Sequence, residues 1–220
     1  MVKTRSYKLL CPIARALDRI GDRWTLLILR DLHAGPARFT DLQRGLTGIA
    51  ANLLTERLGK LVADGLVKKV DGGHSTSVYE LTELGTHTSD IILDLALFGG
   101  RFKPDGDIVQ PGNLRTIATT MGAAAKRIVS HEMNFRAAIL VDGENMQLIA
   151  RDGKAEMHYT TCPSPDLIFS TSYTDLLALS EGEIKLEDFA RSHSQLEVLS
   201  PGKDIEFLTL MSGIIELLNG

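Results

Sequence analysis

Residues 39–66, FTDLQRGLTGIAANLLTERLGKLVADGL, predict two short amphipathic helices separated by a tight turn. Thr40 and Gln43 have the spacing of a capping box at the start of the first helix. The second helix is expected over about residues 50–63, with an apolar stripe of Leu54, Leu58, Leu61 and Val62. Its opposite face is small or polar and carries Ala51, Asn52, Thr55, Glu56 and Gly59. Such a helix suits a DNA major groove, although an ordinary helical hairpin would show the same pattern.

The segments on either side extend this pattern. Two further helices are predicted before it, one opened by Cys11-Pro12 and one capped by Asp22. After it, residues 66–70 and 77–81 read as short strands around an Asp-Gly-Gly turn, which favours a β-hairpin. Helices followed by a two-stranded hairpin predict a winged helix-turn-helix, in which the hairpin can contact phosphates beside the groove.

Several residue types in this region suit DNA contacts. Asn pairs naturally with adenine and Arg with guanine or phosphate, whereas basic and hydroxyl side chains at element ends suit phosphates. The candidates are Arg38, Thr40, Ala51, Asn52, Thr55, Arg57, Lys68, Lys69 and His74. Two alternatives stay open: Arg57 suits an ion pair with Asp41 or Glu56, and the lysine pair suits an exposed strand edge.

The charge of the chain is unevenly distributed. Residues 1–70 contain 13 Lys/Arg and 6 Asp/Glu, a balance of +7. The remaining residues contain 11 and 22, a balance of −11, and together these give the net charge of −4. A basic first third indicates a polyanionic partner for that region.

The composition and the motifs argue against several classes of protein. No apolar run approaches the roughly 20 residues that span a bilayer, and the N-terminus lacks the apolar core of a signal peptide. The 2 cysteines fit a reducing compartment and argue against a disulfide framework. No phosphate-binding glycine loop, nucleophile elbow or metal-ligand spacing is found. We therefore expect a cytoplasmic protein that is not an enzyme and has no cofactor, metal or membrane partner.

A helix capped by Thr82 is predicted over residues 83–98. It carries an apolar stripe of Leu84, Thr88, Ile91, Leu95 and Phe98, widened by Ile92. This helix follows the hairpin, where little of its own domain remains to be covered. Together with the arm formed by residues 1–10, it is therefore interpreted as a dimerisation surface.

Residues 8–98 resemble the HxlR family of bacterial winged-helix transcription regulators. The matching blocks, in order, are Cys-Pro, Gly-Asp-Arg-Trp-Thr, Arg-Phe-Thr-Asp-Leu, Gly-Ile, Leu-Leu-Thr-Glu-Arg-Leu and Tyr-Glu-Leu-Thr-Glu-Leu-Gly. The resemblance implies a homodimer whose recognition helix binds a palindromic operator. One departure is Ala50-Ala51, where the family commonly has Ser, often followed by Pro, so a capping or phosphate-binding hydroxyl is missing.

The second half predicts a separate α+β domain. Residues 1–100 are assigned to the winged helix-turn-helix, residues 101–112 to a linker rich in Pro and Gly, and residues 113–220 to this domain. A helix at its start, an antiparallel meander and an apolar terminal helix resemble a sterol-carrier-protein-like domain. The resemblance implies an apolar ligand, acyl or sterol-like, held between sheet and helices. Candidate lining residues are Phe135, Met146, Met157, Phe169, Phe207, Leu208, Met211 and Ile215, although a filled core would use the same residues.

Cys11 is the remaining candidate site. It precedes a helix and follows Lys8, and both features favour the thiolate form. In some relatives of the family a cysteine at this place senses oxidants or electrophiles. A buried, inert thiol is the simpler interpretation, because free cysteine is among the most buried residue types.

The sequence therefore predicts a homodimeric bacterial DNA-binding regulator, a repressor on a palindromic operator, modulated by an apolar ligand in the second domain. Two alternatives remain. One is a thiol-responsive regulator switched at Cys11, with a second domain that binds no ligand. The other is a lipid carrier with a vestigial DNA-binding domain.

Overall fold

The computed structural model describes residues 6–73, 76–102 and 113–219, which form two compact units, Met1–Thr88 and Ser89–Gly220. The first domain was predicted to end at residue 100 instead. The helix that follows residue 88 belongs to the second unit, where Asp94 accepts a 2.9 Å hydrogen bond from Arg127. Most of the predicted linker, residues 101–112, lies outside the described residues, so the linker assignment stays a prediction.

The first unit is a helix-turn-helix with a β-hairpin. Its elements are α1 Pro12–Ile20, α2 Thr25–His33, β1 Ala37–Arg38, α3 Phe39–Gly45, α4 Ala51–Ala63, β2 Val67–Asp71, β3 Ser77–Leu81 and α5 Glu83–Thr86. The three strands form an antiparallel sheet in the order β1-β3-β2, so the predicted hairpin is present. Its core includes leucine and isoleucine side chains from α2, α3 and α4: Ile28, Leu29, Leu42, Leu54, Leu58 and Leu61.

Two details of the predicted helices in this unit were wrong. Thr40 does not cap α3, because β1 pairs with β3 and keeps Arg38 extended, so the helix already begins at Phe39. The carboxylate of Asp41 instead accepts a 3.1 Å hydrogen bond from the Arg38 backbone N–H. Val62 was placed on the buried stripe of α4, but its side chain is 41% exposed in the last turn.

The helix predicted over residues 83–98 is two helices, α5 and α6 Thr88–Gly99. The predicted cap is confirmed, since the Thr82 hydroxyl accepts a 3.1 Å hydrogen bond from the Gly85 N–H. The Thr88 hydroxyl donates a 2.7 Å hydrogen bond to the Gly85 carbonyl. This side-chain bond competes with the helical ladder, and α5 ends at His87, which is its C-cap residue.

The second unit is a five-stranded sheet covered by helices. After α6 its elements are α7 Leu114–Ile128, β4 Phe135–Val141, β5 Glu144–Arg151, β6 Lys154–His158, β7 Leu167–Thr171, α8 Tyr173–Ser180, α9 Leu186–Asp188, a π-helical turn Phe189–His193, β8 Ser194–Val198 and α10 Lys203–Asn219. The strand order is β6-β5-β4-β7-β8. The two hairpins are closed by Asp142-Gly143 and Asp152-Gly153, whose backbones all have positive φ, as tight two-residue turns require.

The predicted antiparallel sheet was wrong at one strand pair, because β7 runs parallel to β4. Asp166, just before β7, explains this arrangement. Its carboxylate accepts a 2.8 Å hydrogen bond from the Arg136 N–H, and its own N–H donates to the Arg136 carbonyl at 2.7 Å. These bonds hold the start of β7 beside the start of β4, so the two strands run in the same direction and the sheet is mixed.

Candidate nucleic-acid interface

The position of α4 is determined first by its leucines. Leu54, Leu58 and Leu61 are at most 1% exposed and pack into the core of the first unit. The helix begins after Ala50, whose extended backbone accepts the first helical hydrogen bond from Leu54 at 3.0 Å. It ends at Asp64, followed by Gly65 with φ +71°, so the predicted stop is confirmed.

Three polar links also attach α4 to the α1–α2 region. The Arg57 guanidinium lies 3.1 Å from Asp22, the Lys60 ammonium donates to the Asp18 carbonyl at 2.7 Å, and Asp64 pairs with Arg19 at 2.7 Å. The leucines occupy another side of the helix. Together these contacts fix the rotation of α4 about its own axis.

One face of α4 takes part neither in the leucine core nor in the polar links. It is the small and polar face that the sequence predicted. Its five members are all exposed: Ala51, Asn52, Thr55, Glu56 and Gly59. The Thr55 hydroxyl donates to the Ala51 carbonyl at 2.9 Å, a bond that does not use the acceptor lone pairs of the hydroxyl oxygen. The Asn52 amide has no hydrogen-bond partner among the described residues, so its donors and acceptor are available to a ligand. Short side chains on an anchored helix allow the backbone to approach base edges.

The other predicted contacts are divided between exposed and paired side chains. Arg38 and Thr40, at the start of α3, are exposed. Lys68 pairs with Glu80 at 2.7 Å, and the Lys69 ammonium lies 6.0 Å from the centre of the Tyr79 ring. His74 lies outside the described residues.

Arg57 is the predicted contact that the structure uses differently. Its side chain is 23% exposed and is held between Asp22 and Glu56, the latter at 3.0 Å. The open alternative of an ion pair with Glu56 is therefore what the structure contains, and a second ion-pair partner, Asp22, was not predicted.

Comparison with known proteins agrees with this geometry. The profile of the HxlR-like helix-turn-helix family matches residues 19–107. The HTH-type transcriptional regulator YkvN of Bacillus subtilis (strain 168) is 32% identical over 115 residues, which are 49% of this chain and 98% of YkvN. The chain belongs to the HxlR-like family.

Two further similarities concern the same part of the HxlR-like chain. The HTH-type transcriptional regulator Mb3122 of Mycobacterium bovis is 39% identical over 94 residues, 42% of this chain. The chain spans 59% of the length of that relative. The structure of the reduced form of the transcriptional regulator YodB from B. subtilis is 28% identical and covers 45% of this chain and 100% of YodB, with a TM-score of 0.38.

Two exposed cations in the HxlR-like domain were not predicted from the sequence. Arg44 lies in the last turn of α3, and no ion pair from it exists among the residues that the structure describes. Arg23 lies before α2, with its guanidinium 5.5 Å from the centre of the Trp24 ring. Their exposure follows from helix orientation, which the sequence pattern alone does not give.

The second unit of the HxlR-like protein contains an apolar cavity of about 190 Å³. It lies among α7, α8, the π-helical turn and α10, with walls that include Ile117, Met121, Leu177, Phe189 and Ile214. Its location differs from the predicted one between sheet and helices.

Only two of the predicted ligand-binding residues line this cavity, Met211 and Ile215. Five others are packed core side chains at most 6% exposed: Phe135, Met146, Met157, Phe169 and Phe207. Phe207 fills the space between sheet and α10, since its ring lies 5.8 Å from Phe135 and 5.6 Å from Phe169. Leu208 faces outward and is 48% exposed.

The exposure of Cys11 differs from the expectation of a buried thiol. Cys11 is exposed and free, immediately before α1, so the interpretation of a buried thiol was wrong. Cys162 is half-buried, and burial raises the pKa of its thiol.

Within residues 6–73, 76–102 and 113–219, no cluster of three or more His, Cys, Asp or Glu side chains is arranged to hold a metal ion. Over the same ranges, no helix has the length and apolar character needed to cross a membrane.

Proposed function

We propose that this chain is a homodimeric bacterial transcription regulator, a repressor, whose α4 binds a palindromic DNA operator in the major groove. The observation that carries the proposal is the exposed small and polar face of an α4 whose other sides are anchored. Membership of the HxlR-like family supports the same function.

We assign the DNA contacts from the chemistry and the solvent exposure of the side chains. Asn52 and Thr55 meet base edges, and Ala51 allows the close approach of the helix. Arg38 and Thr40 meet phosphates at the start of α3, and Arg44 extends that set. Lys68, Lys69 and His74 flank the groove from the hairpin, whereas Arg57 acts on the orientation of α4 through Asp22.

A homodimer is supported by apolar side chains that each unit leaves in solvent. In the first unit these include Leu10, which is 98% exposed, and Ile13 and Leu17 on α1. On α6 of the second unit, Ile91, Leu95 and Phe98 are 43–60% exposed. A two-fold axis would bury these faces and present two α4 helices to two half-sites, which matches a palindrome.

Ligand modulation is proposed at the apolar cavity of the second unit. An effector changes DNA affinity only when it binds one arrangement of the dimer better than the other. The proposal is therefore that an apolar molecule favours one spacing of the two α4 helices.

The test is binding to operator DNA selected from random duplexes, measured by fluorescence anisotropy. Asn52→Ala is expected to lose about 1–3 kcal/mol of discrimination between the operator and a variant with one base pair changed. Arg44→Ala should weaken binding to all duplexes alike. Lys126→Ala, an exposed cation of the second unit, is the control and should change neither quantity. Equal discrimination by wild type and Asn52→Ala would contradict the assignment of α4.

A second candidate function follows from the exposure of Cys11. In this alternative an oxidant or electrophile modifies the Cys11 thiolate and releases DNA, and the second unit acts in dimerisation alone. Cys11→Ser separates the two functions: release by an apolar effector survives it, whereas release by diamide or a quinone is abolished. A lipid carrier with a vestigial DNA-binding domain would bind no selected duplex in a salt-dependent way.

A further inference from the structure

The exposed face of α4 contains one ionisable side chain, that of Glu56. The other members of this face are alanine, asparagine, threonine and glycine residues. The Glu56 side chain is 49% exposed, so it would come close to a duplex bound at this face. A carboxylate close to phosphates weakens binding through like-charge repulsion unless it accepts a hydrogen bond from the DNA. The presence of Glu56 on this face therefore suits a hydrogen-bond donor in the groove.

Glu56 lies in the part of α4 that a helix-turn-helix places against the bases. The helix begins at Ala51, and Glu56 is its sixth residue. Residues near the N-terminus of a recognition helix contact base edges. Asn52 and Glu56 are four positions apart, which puts them on the same face and about 6 Å apart along the helix axis. That rise corresponds to about two base-pair steps, so both side chains can reach bases of one half-site.

Arg57 reduces the electrostatic cost of this carboxylate. Its guanidinium lies 3.0 Å from Oε1 of Glu56 and 3.1 Å from Asp22, which precedes α2. The cation is thereby attached to the body of the first unit and offsets part of the charge of Glu56. Oε2 of Glu56 takes part in no hydrogen bond or ion pair among the residues that the structure describes, so it can accept a hydrogen bond from a base.

The chemistry of a carboxylate restricts the bases that it can contact in the major groove. A carboxylate only accepts hydrogen bonds, and guanine and thymine present acceptors but no donor there, so both are disfavoured. Adenine presents its N6 amino group beside the N7 acceptor, whose lone pair repels the carboxylate. Cytosine presents its N4 amino group with no acceptor of its own beside it. A carboxylate therefore favours cytosine.

We infer that Glu56 is a specificity-determining residue that accepts a hydrogen bond from the N4 amino group of a cytosine, about two base pairs from the base that Asn52 contacts in each half-site. This inference rests on the proposed function, because it requires α4 to enter the major groove. It adds a G·C pair to the operator at a position set by the spacing of two side chains on α4.

The experiment is selection of operators from random duplexes by the full chain, as wild type and as two variants, followed by fluorescence anisotropy on the enriched sequences. Wild type is expected to enrich cytosine at one position of each half-site and to prefer it over the other bases by about 5- to 150-fold. Glu56→Ala should lose that preference and keep those at the other positions. Glu56→Gln should change the preference to adenine, because an amide pairs with both N6 and N7.

Glu83→Ala is the matched control. Glu83 is an exposed acid of the same unit but lies on α5, so this variant should enrich the wild-type operator. Circular dichroism establishes that each variant is folded. Base preferences that are the same for wild type, Glu56→Ala and Glu56→Gln would overturn the inference. If both variants also bound all duplexes more tightly, Glu56 would act only by repelling phosphates.

The same selection separates this inference from the proposed function. A wild-type chain that enriches no duplex would overturn both. An enriched operator with a base preference that depends on Asn52, but with no cytosine preference that depends on Glu56, would overturn this inference and leave the proposed regulator intact.

Discussion

At the scale of single residues, Asp22 illustrates how one side chain serves two elements. Its carboxylate accepts hydrogen bonds from the N–H groups of Trp24 and Thr25, at 3.0 and 3.2 Å, although Trp24 and not the predicted Asp22 occupies the N-cap position of α2. It also pairs with Arg57 of α4 at 3.1 Å. Hydrogen bonds to the next residues follow from local sequence, whereas a partner thirty-five positions away follows only from the tertiary fold, which is why Arg57 was assigned to DNA.

Ala50 leads to the first prediction. It occupies the N-cap position of α4 with an extended backbone (ψ 142°), and no side chain caps the helix there. Ala50→Ser should therefore raise the free energy of unfolding by about 0.5–2 kcal/mol, because the new hydroxyl accepts a hydrogen bond from the first turn. Urea unfolding measures the change. Ala63→Ser at the other end of α4 is the control, and a similar gain there would contradict the capping explanation.

At the scale of elements, periodicity predicted where the helices lie better than where they end. The exposed face of α4 was predicted in full, because leucines at helical spacing define the buried side. The division between α5 and α6 was missed because it depends on a hydroxyl bond from Thr88 to Gly85. The parallel pairing of β7 was missed because it depends on Asp166 bonding to a residue of another strand. Neither hydrogen bond is reflected in the hydrophobic periodicity of the sequence.

The packing of α4 gives the second prediction. Leu58 is 1% exposed and Val62, on the following turn, is 41% exposed. Leu58→Ala is expected to lower the free energy of unfolding by about 2–5 kcal/mol through lost burial and a residual cavity. Val62→Ala, the matched control, should cost less than about 1 kcal/mol. Chemical denaturation of both variants measures the difference, and comparable losses would contradict the orientation of α4.

The contact between α8 and the π-helical turn gives a pH dependence. The hydroxyl of Ser172, and then His193, hold the pKa of the Asp175 carboxyl below its usual value. A lowered pKa in the folded state adds stability above the unfolded pKa, and that stability is lost as the pH falls through the folded value. We therefore expect the contribution of Asp175 to disappear below about pH 4.

The measurement is Tm between pH 7 and pH 3 for wild type and Asp175→Asn. The variant should lie below wild type at neutral pH and approach it in acid. Asp152→Asn, at an exposed turn, should follow wild type throughout. A constant difference between wild type and Asp175→Asn at every pH would show that Asp175 acts through shape and not through charge.

At the scale of the whole molecule, the exposed apolar face of α6 predicts the oligomeric state. Phe98 is 60% exposed and its ring meets that of Phe102 edge-on at 5.1 Å. Phe98→Asp should convert the proposed dimer to monomer, because it places a charge in a buried apolar interface. Sedimentation velocity measures this. Leu186→Asp, at a less exposed apolar position of the second unit, should remain dimeric. A dimeric Phe98→Asp would exclude α6 from the interface.

The salt dependence of binding tests whether the first unit binds duplex DNA through α4 and its flanking cations. The balance of +7 in residues 1–70 against −11 elsewhere favours phosphate neutralisation by the basic segment of the first unit. The measurement is the affinity for the selected operator between 50 and 300 mM KCl. The logarithm of the association constant should fall linearly with the logarithm of salt, by about 0.9 per phosphate neutralised. Arg38→Ala should reduce that slope by about 2 in a dimer, one phosphate per subunit. A slope near zero would contradict DNA binding by the first unit. So would a slope that Arg38→Ala leaves unchanged while Lys126→Ala reduces it.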